Sequence, residues 1–345
     1  MRINLFLASA ALLSALAVSC IKEKDHFLRT LSLDPVPLEA VDSINIDRFN
    51  LFQARNVVAL DDGWILLSSV KGDYNLMFLN LYTSEHFFAI RKGRGPGEMI
   101  DGSSLHRYED GAAFYDGNNA TCVKVSLNKG ASGSSVVIDT IGVFNSGPSR
   151  PVYMTTCGEG GFISGNLTDD KVWYSYYDST GRILSDIDML QFDELSVGGD
   201  RIVSWMLSSV YTSDPAGKRV CVANVMSPSL SFSEVDAGIL REYKRYTNAP
   251  DITNGRLTEE SRSAFNGIDS DDKYVYVIYS GHKIRNDVLP SNECRHLIVY
   301  DWDGNPVKRY ILNRNVCSVH IDGDTLWCAS EYPESCVYRF ELPKS

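Results

Sequence analysis

After residue 27 the chain is a succession of short apolar runs separated by polar turns, and no segment there sustains a helical period. The turns recur. Asp61-Asp62-Gly63 precedes Trp64-Ile65-Leu66-Leu67, Glu109-Asp110-Gly111 precedes Ala112-Ala113-Phe114-Tyr115, and Glu159-Gly160-Gly161 precedes Phe162-Ile163. Asp214-Pro215-Ala216-Gly217 precedes Val220-Cys221-Val222, Asp271-Asp272-Lys273 precedes Tyr274-Val275-Tyr276-Val277, and Asp322-Gly323-Asp324 precedes Leu326-Trp327-Cys328. Marks at 63, 111, 161, 217, 272 and 323 step by 48, 50, 56, 55 and 51 residues. Six repeats of several short strands each predict a six-bladed β-propeller with four-stranded blades, since one small sheet cannot bury both faces alone.

A second turn divides each repeat again. Tyr177-Asp178-Ser179-Thr180-Gly181 and Tyr300-Asp301-Trp302-Asp303-Gly304 each join two apolar runs, as a hairpin between third and fourth strands should. Leu127-Asn128-Lys129-Gly130 and Val235-Asp236-Ala237-Gly238 are looser copies. The sixth repeat runs out after Cys336 to Glu341, which leaves it one strand short. The segment Phe27 to Pro37, with a strand-like piece at Leu28 to Leu33, is predicted to complete that last blade and remove the open edge.

The first residues have a different pattern. Met1-Arg2 is followed by an apolar run from Ile3 to Val18 and then by Ser19-Cys20, which reads as a secretory signal rather than a membrane span. The end of the run resembles a bacterial lipoprotein signal, with Ala17 where that family more often has Leu. The resemblance implies acylation of Cys20 as the new N-terminus. The expected organisation is a leader over 1–19, a lipidated Cys20 with a polar spacer to 27, and one propeller over 28–345. Each buried methylene of an acyl chain contributes about 0.8 kcal/mol to membrane attachment. The expected location is the cell envelope, at the outer membrane.

Other residues also carry a family likeness. Gly93-Arg94-Gly95-Pro96-Gly97-Glu98, and Tyr274 to Tyr279 followed by Ser280-Gly281-His282-Lys283, resemble recurrent motifs of the TolB-like six-bladed β-propeller lipoproteins of Bacteroidetes. That resemblance spans most of the mature chain. It implies six blades and a lipid-anchored N-terminus, and no particular reaction.

Composition narrows the function classes. The 345 residues carry 33 Lys and Arg against 44 Asp and Glu, a net charge of −11, with no basic cluster. A nucleic-acid partner is therefore not expected, because nothing would neutralise phosphates. The Gly93–Glu98 run lacks the Gly-Lys-Ser/Thr and the helix of a phosphate loop, so it reads as a constrained loop between blades. Arg94, Glu98 and His282 are the candidate ligand-face residues on such loops.

Six histidines at 26, 86, 106, 282, 296 and 320 include no pair at i, i+2 or i, i+4, and no local metal site is predicted. His320, between Val319 and Ile321, reads as a packed or hydrogen-bonded strand residue. Asp269-Ser270-Asp271-Asp272-Lys273 begins like a calcium loop but has Lys and no following Gly, so the acidic turns read as solvated hairpins. Neither a nucleophile elbow nor the Asp-box of propeller sialidases is present, and no catalytic residue or cofactor is predicted. Seven cysteines remain after Cys20; Cys328 and Cys336 are placed so as to permit a bridge, but strand cysteines are more often small buried apolar residues, the reading favoured here.

The expected function is a non-catalytic binding or scaffold module for a glycan, peptide or protein partner. The alternatives are an envelope hydrolase or lyase acting on a polysaccharide or peptidoglycan fragment at the channel mouth, and a structural subunit of an outer-membrane assembly. The side chains around the central opening distinguish them.

Overall fold

A computed structural model describes residues 27–28, 31–100, 102–130, 133–144, 151, 153–158, 160–167, 171–191, 208–248, 252–253, 256–258, 260–283, 294–331 and 334–343. The chain divides into two compact units, residues 1–33 and 34–345. In the first, Phe27 and Leu28 are helical and residues 31–33 have no regular structure. The leader, Cys20 and nearly all of the spacer lie outside the described residues.

The second unit is an all-β six-bladed propeller. Two short strands come first, β1 (Pro35–Leu38) and β2 (Ala40–Asn45). Blade 1 is β3 (Phe52–Ala59), β4 (Trp64–Lys71), β5 (Tyr74–Asn80) and β6 (His86–Arg91). Blade 2 is β7 (Gly102–Tyr108), β8 (Gly111–Asp116), β9 (Thr121–Gly130) and β10 (Gly133–Val143). Blade 3 is β11 (Met154–Cys157), β12 (Gly161–Leu167), β13 (Lys171–Tyr177) and β14 (Ile183–Gln191).

Blade 4 is β15 (Ser209–Ser213), β16 (Arg219–Asn224), β17 (Leu230–Asp236) and β18 (Ile239–Tyr246). A two-residue ladder, β19 (Ile252–Thr253) with β20 (Arg256–Leu257), sits in the connection that follows. Blade 5 is β21 (Phe265–Ser270), β22 (Tyr274–Tyr279), β23 (Cys294–Asp301) and β24 (Pro306–Val316). Blade 6 holds β25 (Ser318–Asp322), β26 (Thr325–Ser330) and β27 (Cys336–Glu341).

All six acidic turns of the repeat fall on the hairpin between the first and second strands of a blade. An N-terminal strand completes the last blade, but it is β2 and not the Leu28–Leu33 piece: Ala40 pairs with Phe340 and Asn45 with Cys336, antiparallel. The leucine-rich piece forms no strand among its described residues. β1 adds a fifth, parallel strand to blade 5, with Pro35 opposite Arg309 and Leu38 opposite Leu312. Leu127–Gly130 is also corrected, since β9 runs straight through it. The other three second turns stand where the spacing puts them; Asp178 and Asp301 each accept backbone N–H groups within their own turn.

The core lies between blades rather than within one. Val58, Leu66 and Phe78 of blade 1 pack on Leu105, Ala112 and Phe114 of blade 2, and comparable apolar clusters join blades 2 to 3, 3 to 4, 5 to 6 and 6 to 1. Burial from both sides explains the continuous apolar runs, complete in β8, where all six residues are buried. The seven described cysteines are buried thiols, with no disulfide among them. Cys328 faces Tyr338 and Cys336 faces Ser330 across the ladder, which excludes the bridge between them.

Candidate functional site

Antiparallel strand order puts the blade-to-blade connections at one end of the ring, the loop end, and the first hairpins at the other, the hairpin end. The first strands of all six blades line the axis between them, where two cavities lie. At the loop end is one of about 310 Å³, walled by residues such as Val57, Leu105, Met154, Tyr211, Ile268 and Val319. At the hairpin end is one of about 720 Å³, and His106 borders both.

A collar of hydrogen bonds ties the first strands together around the larger cavity. The Thr156 N–H donates to His106 Nε2 at 2.9 Å, joining blades 2 and 3. Ser213 Oγ donates to the Thr156 carbonyl at 2.8 Å, and Ser270 Oγ donates to the Ser213 carbonyl at 2.9 Å while meeting Thr212 Oγ1 at 2.8 Å. Asp269 Oδ2 accepts the Ile321 N–H at 2.8 Å and contacts His320 Nδ1 at 2.7 Å, joining blades 5 and 6. Arg107 closes the seam to blade 1, donating to the Ala59 carbonyl at 2.9 Å and to Asp61 at 3.2 Å. Small hydroxyl side chains suit this position because each donates to a neighbouring strand without filling the channel.

These bonds fix what the collar presents. The Thr156 N–H occupies the lone pair of His106 Nε2, which puts the ring proton on Nδ1. Burial pushes the imidazole down to about 4 from its usual 6.5, against the raising effect of the Asp269 charge, so the ring is a neutral donor. Asp269 Oδ1, His320 Nε2 and His106 Nδ1 have no partner among the described residues.

The wall around them is acidic: Asp61, Glu109, Asp214, Asp269, Asp271 and Asp322 line the cavity against the single guanidinium of Arg107. Two of the acids hold hairpins and a third pairs across a seam. Asp214 accepts the Lys218 and Arg219 N–H groups and Arg219 Nε, Asp271 accepts the Lys273 and Tyr274 N–H groups and the Tyr276 hydroxyl, and Asp61 meets Arg107. Gly217 lets the blade 4 hairpin touch that of blade 3: its φ is +62°, and a Cβ there would lie 1.8 Å from the Gly158 nitrogen. Among the described residues no three His, Cys, Asp or Glu side chains converge as a metal site. His106 also offers a proton rather than a lone pair.

The residues singled out from sequence stand elsewhere. Arg94 and Glu98, between blades 1 and 2, and His282, after the second strand of blade 5, are all at the loop end, and none borders either cavity. Glu98 folds back on its own loop, Oε2 accepting the Gly95 N–H at 2.8 Å and filling the space a Cβ on Gly93 would need. Arg94 and His282 are exposed. The collar was not assembled from the sequence because its residues come from six different blades. One signal was available, since His106 and His320 each stand two residues before the end of their blade's first strand.

Residues 57–324 match the family model described as TolB-like 6-blade propeller-like. No curated protein matches the chain by sequence. Among solved structures, a regucalcin from Agrobacterium tumefaciens described as a calcium-binding protein is similar at 12% identity, TM-score 0.54, covering 90% of this chain and 98% of that one. A gluconolactonase from Xanthomonas campestris is similar at 9% identity, TM-score 0.52, covering 90% and 96%. The hydrazine synthase of Kuenenia stuttgartiensis is similar at 11% identity, TM-score 0.52, covering 86% and 97%. At such identity the likeness is one of fold.

Proposed function

Because the chain belongs to the TolB-like six-bladed propeller family, we propose that it is an envelope binding module, held at a membrane by lipid on Cys20, which captures a glycan, peptide or protein partner without transforming it. The observation that carries this reading is the 720 Å³ cavity at the hairpin end, walled by all six blades and fixed by their inter-blade hydrogen bonds. A pocket held by a closed ring is preorganised, so little ordering cost attaches to binding. Five of its six carboxylates already have protein partners, two in turns and three in ion pairs or blade-to-blade bonds, which suits recognition more than acid and base work. The exposed loop end, with Arg94 and His282, is left for a larger partner.

One observation favours a second reading. Asp269 holds His320 by Nδ1 and leaves Nε2 toward the cavity, which is how a general base is oriented in hydrolases. A single panel separates the two: thermal unfolding with neutral and amino oligosaccharides, peptidoglycan fragments and short peptides, each recovered and weighed by mass spectrometry. A ligand at a hundred times its Kd adds about 2.7 kcal/mol, a shift of several degrees. The binding reading expects a shift with intact ligand, lost in a folded Ser213→Trp variant that fills the cavity. Cleaved products, or no shift from any member, would refute it. For the anchor, Cys20→Ala should release the protein from membranes and remove the acyl mass.

A further inference from the structure

We infer that the hairpin-end cavity receives the amino terminus of a peptide, its ammonium donating to Asp269 Oδ1 and His320 Nε2 and its first carbonyl oxygen accepting from His106 Nδ1. The inference rests on the binding reading above and names the chemistry of the ligand. It starts from three polar atoms with no partner among the described residues: one carboxylate oxygen, one imidazole acceptor and one imidazole N–H, on three residues that line the same cavity, with the Asp269 charge near enough to act on His106. His320 is only 6% exposed and lines the cavity, and with Nδ1 held by Asp269 its second nitrogen is left for a ligand there. A polar atom in a cavity gains from a ligand that completes its hydrogen bonds.

The set is asymmetric, with two acceptors and one donor. A carboxylate or phosphate would meet Asp269 as a like charge and find one N–H. A bare polyamine would satisfy the acceptors and oppose the His106 proton. A primary ammonium beside a carbonyl oxygen satisfies all three, and that pair is the end of a peptide. The six carboxylates of the wall favour the same sign of ligand and draw it toward the axis. A sugar is less well served, because Tyr108 is the one Phe, Tyr or Trp among the described lining residues.

The test is calorimetric titration of the full-length protein in detergent with the tripeptide amide Ala-Lys-Ala, with its N-acetyl form, and with the glucosamine trimer. The free tripeptide should bind at least tenfold more tightly than the acetylated one and more tightly than the amino sugar. Asp269→Asn should abolish that preference. Because Asp269 also joins two blades, His320→Gln, which keeps a polar group at the seam, serves as a second variant and should reduce the preference severalfold at unchanged circular dichroism. Equal binding of both peptides, no binding of either at millimolar concentration, or tighter binding of the glucosamine trimer would overturn the inference. The binding reading survives any of these if a neutral member of the wider panel still fills the cavity; it falls only if none does.

Discussion

At the loop end of the channel Arg55 is the one Asp, Glu, Lys or Arg among the described lining residues, and it pairs with Glu331 at 3.6 Å; at the hairpin end six carboxylates face one guanidinium. The same six strands supply both walls. The difference comes from position along each strand: the early halves carry Val, Leu, Ile and Met, and the late halves run into turns that need Asp, Glu and Gly to reverse the chain. Residues chosen for turning are thereby gathered into a charged rim. Chemistry at the hairpin end is a by-product of making hairpins, which the collar of His106, Asp269 and His320 converts into a site.

The contrast can be broken most severely at Gly217. Gly217→Ala adds a Cβ in the left-handed region and against the Gly158 backbone, and we expect a loss of about 3–4 kcal/mol by denaturant unfolding. Its loop-end counterpart, Gly97→Ala, has φ +76° but nothing within 4 Å and should cost about 1 kcal/mol. If the two cost the same, the close packing of the hairpin end is wrong.

Acid should act next, and at the hairpin end. The unfolded chain's imidazole takes its proton near pH 6.5, whereas burial keeps His106 neutral to about 4. Stability from this residue is therefore complete above pH 6.5 and lost as pH falls toward 4, by about 3 kcal/mol at most. Unfolding curves of wild type and His106→Gln across that window should converge as the pH drops.

Smaller effects belong to the loop end. Glu98→Ala removes the acceptor for the Gly95 N–H and should cost about 1 kcal/mol, which Glu98→Gln should largely restore. Smallest of all, Arg94→Ala and His282→Ala change exposed side chains and should move stability by less than about 0.5 kcal/mol with no effect on ligand in the channel. A large loss of channel binding in either would move the site to the loop face.

The ring itself was legible in the sequence because turns repeat with the fold and each blade needs one at the same place. Its clasp was not. β2 is an outermost strand with no fully buried residue, held by its ladder to β27, so Ala40-Val41-Asp42-Ser43-Ile44-Asn45 lacks the apolar signature that drew attention to Leu28–Leu33. β9 misled for the opposite reason: Asn128-Lys129-Gly130 has turn composition but is paired with Gly133–Ser135 as the end of a long strand. The collar was hidden by distance, since His320 and Asp269 are 51 residues apart and Thr156 lies 50 from His106. Packing of each blade on the next turns such separations into contacts.

That closure also sets an order of events during synthesis. Ala40 is made early, and its ladder partner Phe340 comes 300 residues later. While the chain emerges, each internal blade can form from neighbouring hairpins, but β2 waits with its backbone groups unmatched until the last strand arrives. A nascent chain would have to shield that lone edge throughout synthesis, and the finished ring locks only when β2 finds the final strand.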